Sequence, residues 1–270
     1  MSNNLNATAL SAAAGGFMKK LFLALAAVFL LSPALASAEE FQVAVAANFT
    51  APSKDIAAEF EKETGHKPVL SFGSTGNFYS QIKNGAPFTM LLAADSKTPV
   101  KLEEEGGIKP GSRFTYAQGA LALWSAKEGF VDDKGEVLAG DKYKFLSVAD
   151  PKLAPYGAAA YELLKAKGLL ESLEKDQRIV TGNNIGQAFQ FAESGQAELG
   201  LIAWSQVCRE GKLSRGSVWL VPADLYSPIM QDAVILKGAE DNAAVQAFAD
   251  YLKNSPKAKE IILSYGYSLP

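Results

Sequence analysis

Histidine and cysteine are almost missing from this chain: its 270 residues contain one of each, His66 and Cys208. A single cysteine closes no disulfide within the chain and reads as a small, buried, apolar group. With one histidine and no cysteine pair, the usual zinc ligand sets lack members, and a Ser-His-Asp arrangement lacks a base near its nucleophile. His66 lies in Gly65-His66-Lys67-Pro68, a polar junction where a surface or capping role is expected. Positive charge is scarce too. The chain has 26 Lys and Arg against 29 Asp and Glu, a formal charge of −3, and no basic stripe of the kind that binds nucleic acid. Neither the Gly-x-x-x-x-Gly-Lys-Ser/Thr run of a nucleotide-binding loop nor the Gly-x-Ser-x-Gly of a nucleophile elbow occurs. The acidic run Glu103-Glu104-Glu105 reads as a solvated helix end and not as a catalytic carboxylate pair.

The first forty residues read as an export signal. Lys19 and Lys20 precede the apolar run Leu21 to Leu31, and Ala36-Ser37-Ala38 precedes Glu39-Glu40. This is the n-region, h-region and A-x-A cleavage pattern of a signal peptide spanning 1–38, with cleavage after Ala38 and Met1 or Met18 as the start. The apolar run is short of the roughly 20 residues that span a bilayer. Removing the segment leaves 24 basic and 29 acidic residues, in a soluble chain expected in the periplasm. No cysteine follows the cleavage site, so a lipid anchor is not expected.

What remains alternates apolar strand and amphipathic helix. Phe41–Ala47, Val69–Phe72 and Met90–Ala94 read as strands, with helices over Pro52–Lys62, Asn77–Lys83 and Val100–Glu105. A break rich in glycine follows, and Ala120–Trp124 reads as a long strand before a polar, hairpin-like insert at Asp132 to Asp141. The rhythm resumes with strands at Phe145–Val148, Arg178–Thr181, Leu199–Ala203, Val218–Val221 and Ala233–Leu236. Two helices, Asp241–Lys253 and Pro256–Tyr265, close the chain. Continuous apolar strands between amphipathic helices imply α/β architecture, with sheets covered on both faces. Two such halves, with a terminal segment long enough to return to the first, predict two lobes connected twice: residues 39–121 plus 232–270, and 122–231. A ligand then belongs in the crevice at the strand ends. Trp124, Trp204 and Trp219 read as core or hinge packing.

Four strand-to-helix junctions share one chemical character. They are Ala46-Ala47-Asn48-Phe49-Thr50, Gly73-Ser74-Thr75-Gly76-Asn77, Asp150-Pro151-Lys152-Leu153-Ala154-Pro155-Tyr156-Gly157 and Gly182-Asn183-Asn184-Ile185-Gly186-Gln187. Each places small, hydroxyl or amide residues where a helix begins. Helix starts carry unpaired N–H donors and about half a positive charge, so each is a potential anion seat. One such loop alone is no more than a well-capped helix, since Ser, Thr and Asn caps are each worth about 1 kcal/mol. Four, two from each half, point to a shared anion. The first two carry no Arg, Lys, Asp or Glu, the core of the fourth is uncharged as well, and the third has Asp150 and Lys152 upstream of a neutral Pro155-Tyr156-Gly157. Neutral donors without a carboxylate suit a fully deprotonated oxyanion, which only accepts hydrogen bonds; a protonated phosphate or an amino acid calls for charged partners.

Several stretches resemble the periplasmic molybdate-binding proteins, the receptor component of molybdate ABC importers. They are Val43-Ala44-Val45-Ala46-Ala47-Asn48-Phe49, Phe72-Gly73-Ser74-Thr75-Gly76, Gly85-Ala86-Pro87, Ala93-Ala94-Asp95, Ala154-Pro155-Tyr156-Gly157 and Asn184-Ile185-Gly186-Gln187-Ala188. The likeness covers essentially all of 40–270. It implies a type II periplasmic-binding-protein fold, each lobe a mainly parallel sheet flanked by helices, with no catalysis and no cofactor. The implied ligand is molybdate or tungstate, the implied partner a membrane permease, and the implied state a monomer. Carried over by position, the oxyanion ligands are Asn48, Thr75, Tyr156 and Ile185, with Ala47 as a weaker contributor through its N–H. The resemblance implies that Tyr156 and Ile185 act through backbone N–H groups, and leaves the role of the Tyr156 hydroxyl open. Some relatives supply a Tyr hydroxyl where this chain has Ala203, so one donor is lost or replaced. A receptor for tungstate alone, sulfate or phosphate, or an enzyme on the same fold, are the alternatives.

Overall fold

The computed structural model describes residues 38–270, so the signal-peptide expectation lies almost wholly outside the described residues. The first strands are β1 (Glu40–Ala46), β2 (Lys67–Gly73), β3 (Met90–Leu92), β4 (Phe114–Gly119) and β5 (Leu121–Ser125). They are followed by β6 (Leu146–Ala149), β7 (Ile179–Gly182) and β8 (Leu199–Ala203), then a short ladder of β9 (Cys208–Arg209) and β10 (Lys212–Leu213). β11 (Ser217–Leu220) and β12 (Ile229–Ile235) complete the set. The helices are α1 (Thr50–Thr64), α2 (Thr75–Lys83), α3 (Lys97–Glu104), α4 (Pro155–Ala166), α5 (Leu170–Lys175), α6 (Ile185–Glu193), α7 (Ala243–Asn254) and α8 (Pro256–Ser264).

The strands form two five-stranded sheets, ordered β2-β1-β3-β12-β4 and β11-β5-β8-β6-β7. Residues Val43 to Ala46 of β1 are at most 2% exposed, as a strand covered on both faces requires. In α1, Ile56, Ala57 and Phe60 recur at helical spacing and are buried, while Lys54, Asp55 and Glu61 face water. In α7, Asn242 caps the first turn by accepting the Val245 N–H at 2.8 Å, and the stripe Val245, Phe248, Ala249 and Leu252 is buried as its periodicity predicts. Phe41, Phe60 and Phe248 meet edge to face or tilted between β1 and these helices. A second core, including Leu121, Leu146, Leu163, Leu201 and Trp219, surrounds the other sheet and extends to Ala46 and Ala94 of the first. All three tryptophans are buried.

Each sheet is mixed. β1 pairs in parallel with β2 and β3, while β12 runs antiparallel to β3 and β4. β6 pairs in parallel with β7 and β8, while β5 runs antiparallel to β8 and β11. Helical crossovers supply the parallel half of each sheet, whereas the antiparallel half carries the chain between sheets: β4 leads directly into β5, and β12 returns after β11. Two local expectations change. Phe114–Gly119, for which the apolar pattern predicts no strand, is strand β4, and β12 starts at Ile229, four residues ahead of the expected Ala233. β4 carries half-buried Thr115 and Gln118 beside buried Tyr116, and β12 carries buried Gln231 and Asp232, which masks the apolar pattern. The insert at Asp132 to Asp141 contains a 3-10 turn at Glu136–Ala139 organised by the Asp132 carboxylate, which accepts N–H bonds from Lys134, Glu136 and Val137. No described helix is long and apolar enough to cross a membrane.

Candidate oxyanion site

Three α-helices start at one place. α2 begins after Ser74, whose Oγ accepts the Asn77 N–H at 3.4 Å. α6 begins after Asn184, whose Oδ1 accepts the Gln187 N–H at 3.0 Å. α4 begins with Pro155, whose fixed φ suits the first helical position. A fourth segment, the 3-10 turn Ala47–Phe49, leads into α1. Between them lies a small cavity of about 10 Å³, lined among others by Ala47, Asn48, Thr75, Tyr156 and Ile185. All five residues predicted from the sequence therefore stand around one compartment. Pockets for organic ligands are generally about 300–1,000 Å³; this closed space, about one water-sized sphere, lies far below that range. No Lys, Arg, Asp or Glu lines it.

The local geometry says what each residue can offer. Thr75 is 1% exposed, and its Oγ1 accepts the Ala94 N–H at 3.0 Å from beyond the end of β3. That bond occupies a lone pair, so the single hydroxyl proton is left for an acceptor in the cavity. The N–H groups of Thr75, Tyr156 and Ile185 belong to first helical turns, where no i−4 carbonyl reaches them. Tyr156 runs into the interior with its ring 1% exposed, and its hydroxyl accepts a bond from Gln231 Nε2 at 3.3 Å. The carbonyl of Ile185 accepts from Gln206 Nε2 at 3.1 Å, which holds the start of α6 against the turn after β8. Asn48 is buried, and its carbonyl accepts from the hydroxyls of Ser205 at 3.0 Å and Tyr267 at 2.8 Å.

The segments from the two sheets meet directly across this compartment. The Gly76 N–H donates to the Leu153 carbonyl at 2.9 Å, and Ser205 reaches Asn48 as just described. Wider clefts open on either side. One of about 590 Å³ is bordered by Asn48, Phe72, Asn184 and Arg209, and one of about 310 Å³ by Tyr79, Lys97, Lys101 and Lys152. Burial first, and then the nearby Asp232, raise the Asp95 carboxyl above its usual range, although Thr98 bonds to it through N–H and hydroxyl. Burial likewise raises the Tyr116, Tyr156 and Tyr267 hydroxyls, so all three are protonated near neutral pH. Cys208 is fully buried, and burial raises its thiol. His66 accepts the Glu39 N–H past the far end of α1, away from the cavity. Ala203 ends β8 fully buried and contributes only a methyl group. Among the described residues no three His, Cys, Asp or Glu side chains gather as a metal site.

Residues 41–268 match the family model described as bacterial extracellular solute-binding protein. The chain belongs to that family. As a solute-binding protein it is similar, at 61% identity over 87% of its length and 92% of the relative's, to the molybdate-binding protein ModA of Azotobacter vinelandii. The ModA of Rhodobacter capsulatus is 52% identical over 86% of this chain and 89% of its own. Among solved structures, the periplasmic molybdate-binding protein of Azotobacter vinelandii superposes with a TM-score of 0.83 at 44% identity, covering 85% of this chain and 99% of that one. The two-sheet α/β fold expected from the sequence is the fold of this solute-binding protein. These relatives are named as binding proteins and not as enzymes.

The sequence reading did not single out Gln231, Tyr116, Tyr267 or Ser205, all buried and all bonded to or near Asn48. The available signal was weak: adjacent polar residues, Gln231-Asp232, immediately before an apolar strand run. Nothing in the one-dimensional pattern associates them with a loop some 180 residues earlier.

Proposed function

We propose that this protein is the receptor that captures molybdate, and tungstate, in the periplasm and delivers it to the membrane permease of an ABC importer. The reading rests on the convergence of four helix-leading segments on one small, charge-free compartment, and it is supported by the likeness to the ModA proteins, which are named for binding molybdate. Within it, Thr75 donates through its hydroxyl, Asn48 through its carboxamide, and Tyr156, Ile185 and Ala47 through backbone N–H groups. A tetrahedral dianion there gives up water for fixed dipoles pointing at its oxygens. Because none of those dipoles is a formal charge, the ion is held without a counter-ion that would hinder release. Preference over sulfate follows from spacing: donors set for a larger tetrahedron lose contact with a smaller one.

Residues 39–121 with 232–270 form one lobe in this reading, and 122–231 the other. They turn about the adjoining strands β4-β5 and β11-β12 to admit and enclose the ion. The exported form begins after Ala38 and acts as a monomer. The test is calorimetric titration of the mature chain with molybdate, tungstate, sulfate and phosphate in turn. Tight binding of the first two with weak or no binding of the others is expected. Sulfate binding as tightly as molybdate overturns the selectivity, and no heat from any of the four overturns the receptor reading.

A further inference from the structure

Beside the cavity, sharing Asn48 and Tyr156 with it, lies a buried cluster of amide and hydroxyl groups with fully buried Gln231 at its centre. Gln231 Oε1 accepts from Asn48 Nδ2 at 2.8 Å and from the Tyr116 hydroxyl at 3.0 Å, while its Nε2 donates to the Tyr156 hydroxyl at 3.3 Å. Asn48 Nδ2 donates again to the Tyr267 hydroxyl at 2.9 Å. Both amide protons of Asn48 are then used within the protein. Its Oδ1, on a residue only 3% exposed, has no hydrogen-bond partner. A buried carbonyl oxygen left this way is destabilising, because it has given up water and gained no donor. It is also the wrong end of the amide to meet an anion.

We propose that Gln231 is a positioning residue coupled to Asn48, and that oxyanion capture uses the arrangement in which both carboxamides have made a half-turn. The inference rests on the oxyanion-receptor reading and names what orients one of its ligands. Turned together, Asn48 Oδ1 accepts from Gln231 Nε2 and from the Tyr267 hydroxyl across the two short contacts already present. The second Nε2 proton goes to the Tyr116 oxygen, whose own proton bonds to the Ala93 carbonyl at 2.9 Å. Gln231 Oε1 accepts from the Tyr156 hydroxyl, and Ser205 continues to donate to the Asn48 carbonyl. Every group in the cluster then has a partner except Asn48 Nδ2, which takes the place of the orphaned oxygen and offers its protons there. An acceptor-only ion supplies what that nitrogen lacks.

The two amides turn only as a pair. A half-turn of Asn48 alone would set two carbonyl oxygens face to face across the 2.8 Å contact, and a half-turn of Gln231 alone would set two NH2 groups there. Gly119 leaves space for the arrangement: a Cβ at that position would collide with the Tyr156 hydroxyl and come within 2.7 Å of Gln231 Nε2. The titratable groups around position 231 are Tyr116, Tyr156 and Tyr267, with Tyr226 beyond Tyr156. On the adjoining stretch of β12, Asp232 is bonded to Arg113 at 3.1 Å and Thr115 at 2.8 Å, with Asp95 nearby.

The experiment is calorimetric titration of wild type, Gln231→Glu and Gln231→Met with sodium molybdate from pH 6 to 8.5. An ionised glutamate only accepts hydrogen bonds and locks Asn48 in the unturned arrangement. Gln231→Glu is therefore expected to bind about tenfold or more weakly than wild type at pH 8, and to regain affinity toward pH 6 as its buried carboxyl takes up a proton and becomes a donor. Wild type is expected to stay flat over this range, and Gln231→Met to be weak and flat. A Gln231→Glu protein that binds like wild type at pH 8, or that is as weak and pH-independent as Gln231→Met, overturns the coupling while wild-type binding preserves the receptor reading. Wild type that does not bind overturns both. Should Gln231→Glu fold poorly, side-chain amide NMR of wild type decides. The Asn48 and Gln231 resonances shift together on adding molybdate if the amides are coupled, and a Gln231 signal that stays in place while Asn48 moves overturns the proposal.

Discussion

The two sheets each send two strand-to-helix junctions to the cavity and equip them differently. The first sheet presents side chains, Asn48 and Thr75. The second presents Tyr156 and Ile185, whose polar side-chain atom, where there is one, lies among the residues of the first sheet. Side-chain donors must be aimed by further hydrogen bonds: the Ala94 N–H for Thr75, and Gln231 and Tyr267 for Asn48. Backbone donors need only the helix in the right place, and packing puts it there. One half of the site is therefore held by polar partners and the other by close approach of backbone.

The strongest way to break that contrast is at Gly157. A Cβ at this first-turn position would collide with the Ala149 carbonyl, and backbone cannot rotate aside as a flexible side chain would. Gly157→Ala is expected to shift the start of α4 away from β6, carry the Tyr156 N–H with it, and abolish molybdate binding. Thermal or urea denaturation should show a loss of about 3 kcal/mol, the upper end for overpacking. Normal affinity in this variant would mean that the second half tolerates displacement after all.

A smaller effect separates the two kinds of donor. Thr75→Ala removes one hydroxyl bond to a charged ligand and is expected to weaken molybdate binding by about 1–3 kcal/mol, with Thr75→Ser restoring most of it. Ile185→Val keeps the N–H; about 0.5–1.5 kcal/mol of stability is expected to be lost and affinity to stay nearly unchanged. Equal affinity losses in the two variants, measured by calorimetry, would erase the distinction between side-chain and backbone halves.

The smallest effect concerns pH and lies in the second half, away from the cavity. N–H bonds from Glu136 and Val137, followed by a smaller one from Lys134, lower the Asp132 carboxyl to about 2. Its folded pKa is below the unfolded value, so its contribution to stability is present above about pH 4 and is lost as pH falls through about 2. Asp132→Asn is expected to be slightly less stable than wild type at pH 7, and the gap should close near pH 2 in urea denaturation. A gap that persists at that pH would show that the turn does not depend on the charge. Screening at this exposed position keeps the effect small.

Much of this was legible in the chain. Apolar runs such as Val43 to Ala46 and the stripe in α7 announced their elements because burial on both faces, or on one, leaves a direct hydrophobic trace. The helix starts were readable to within one to three residues, since Ser74 and Asn184 cap N–H groups three residues on and Pro155 fixes its own φ. β4 and the first part of β12 were not. Their polar residues are satisfied by partners from distant segments, as Gln231 is by Asn48 and Tyr116, so the strand carries no apolar alternation to detect. For the same reason Asn48 was recognisable as a site residue while the groups that orient it were not.

The sequence by itself determined the α/β rhythm, the four uncharged helix starts and the lack of a catalytic base, because each follows from residues that act on their own neighbours. Only the tertiary structure decided that these starts meet at one compartment, that the Tyr156 hydroxyl turns toward the first sheet, and that Asn48 answers to Gln231. Those relations join segments from both sheets, and hydrogen-bond complementarity between residues far apart in the chain leaves no pattern along it.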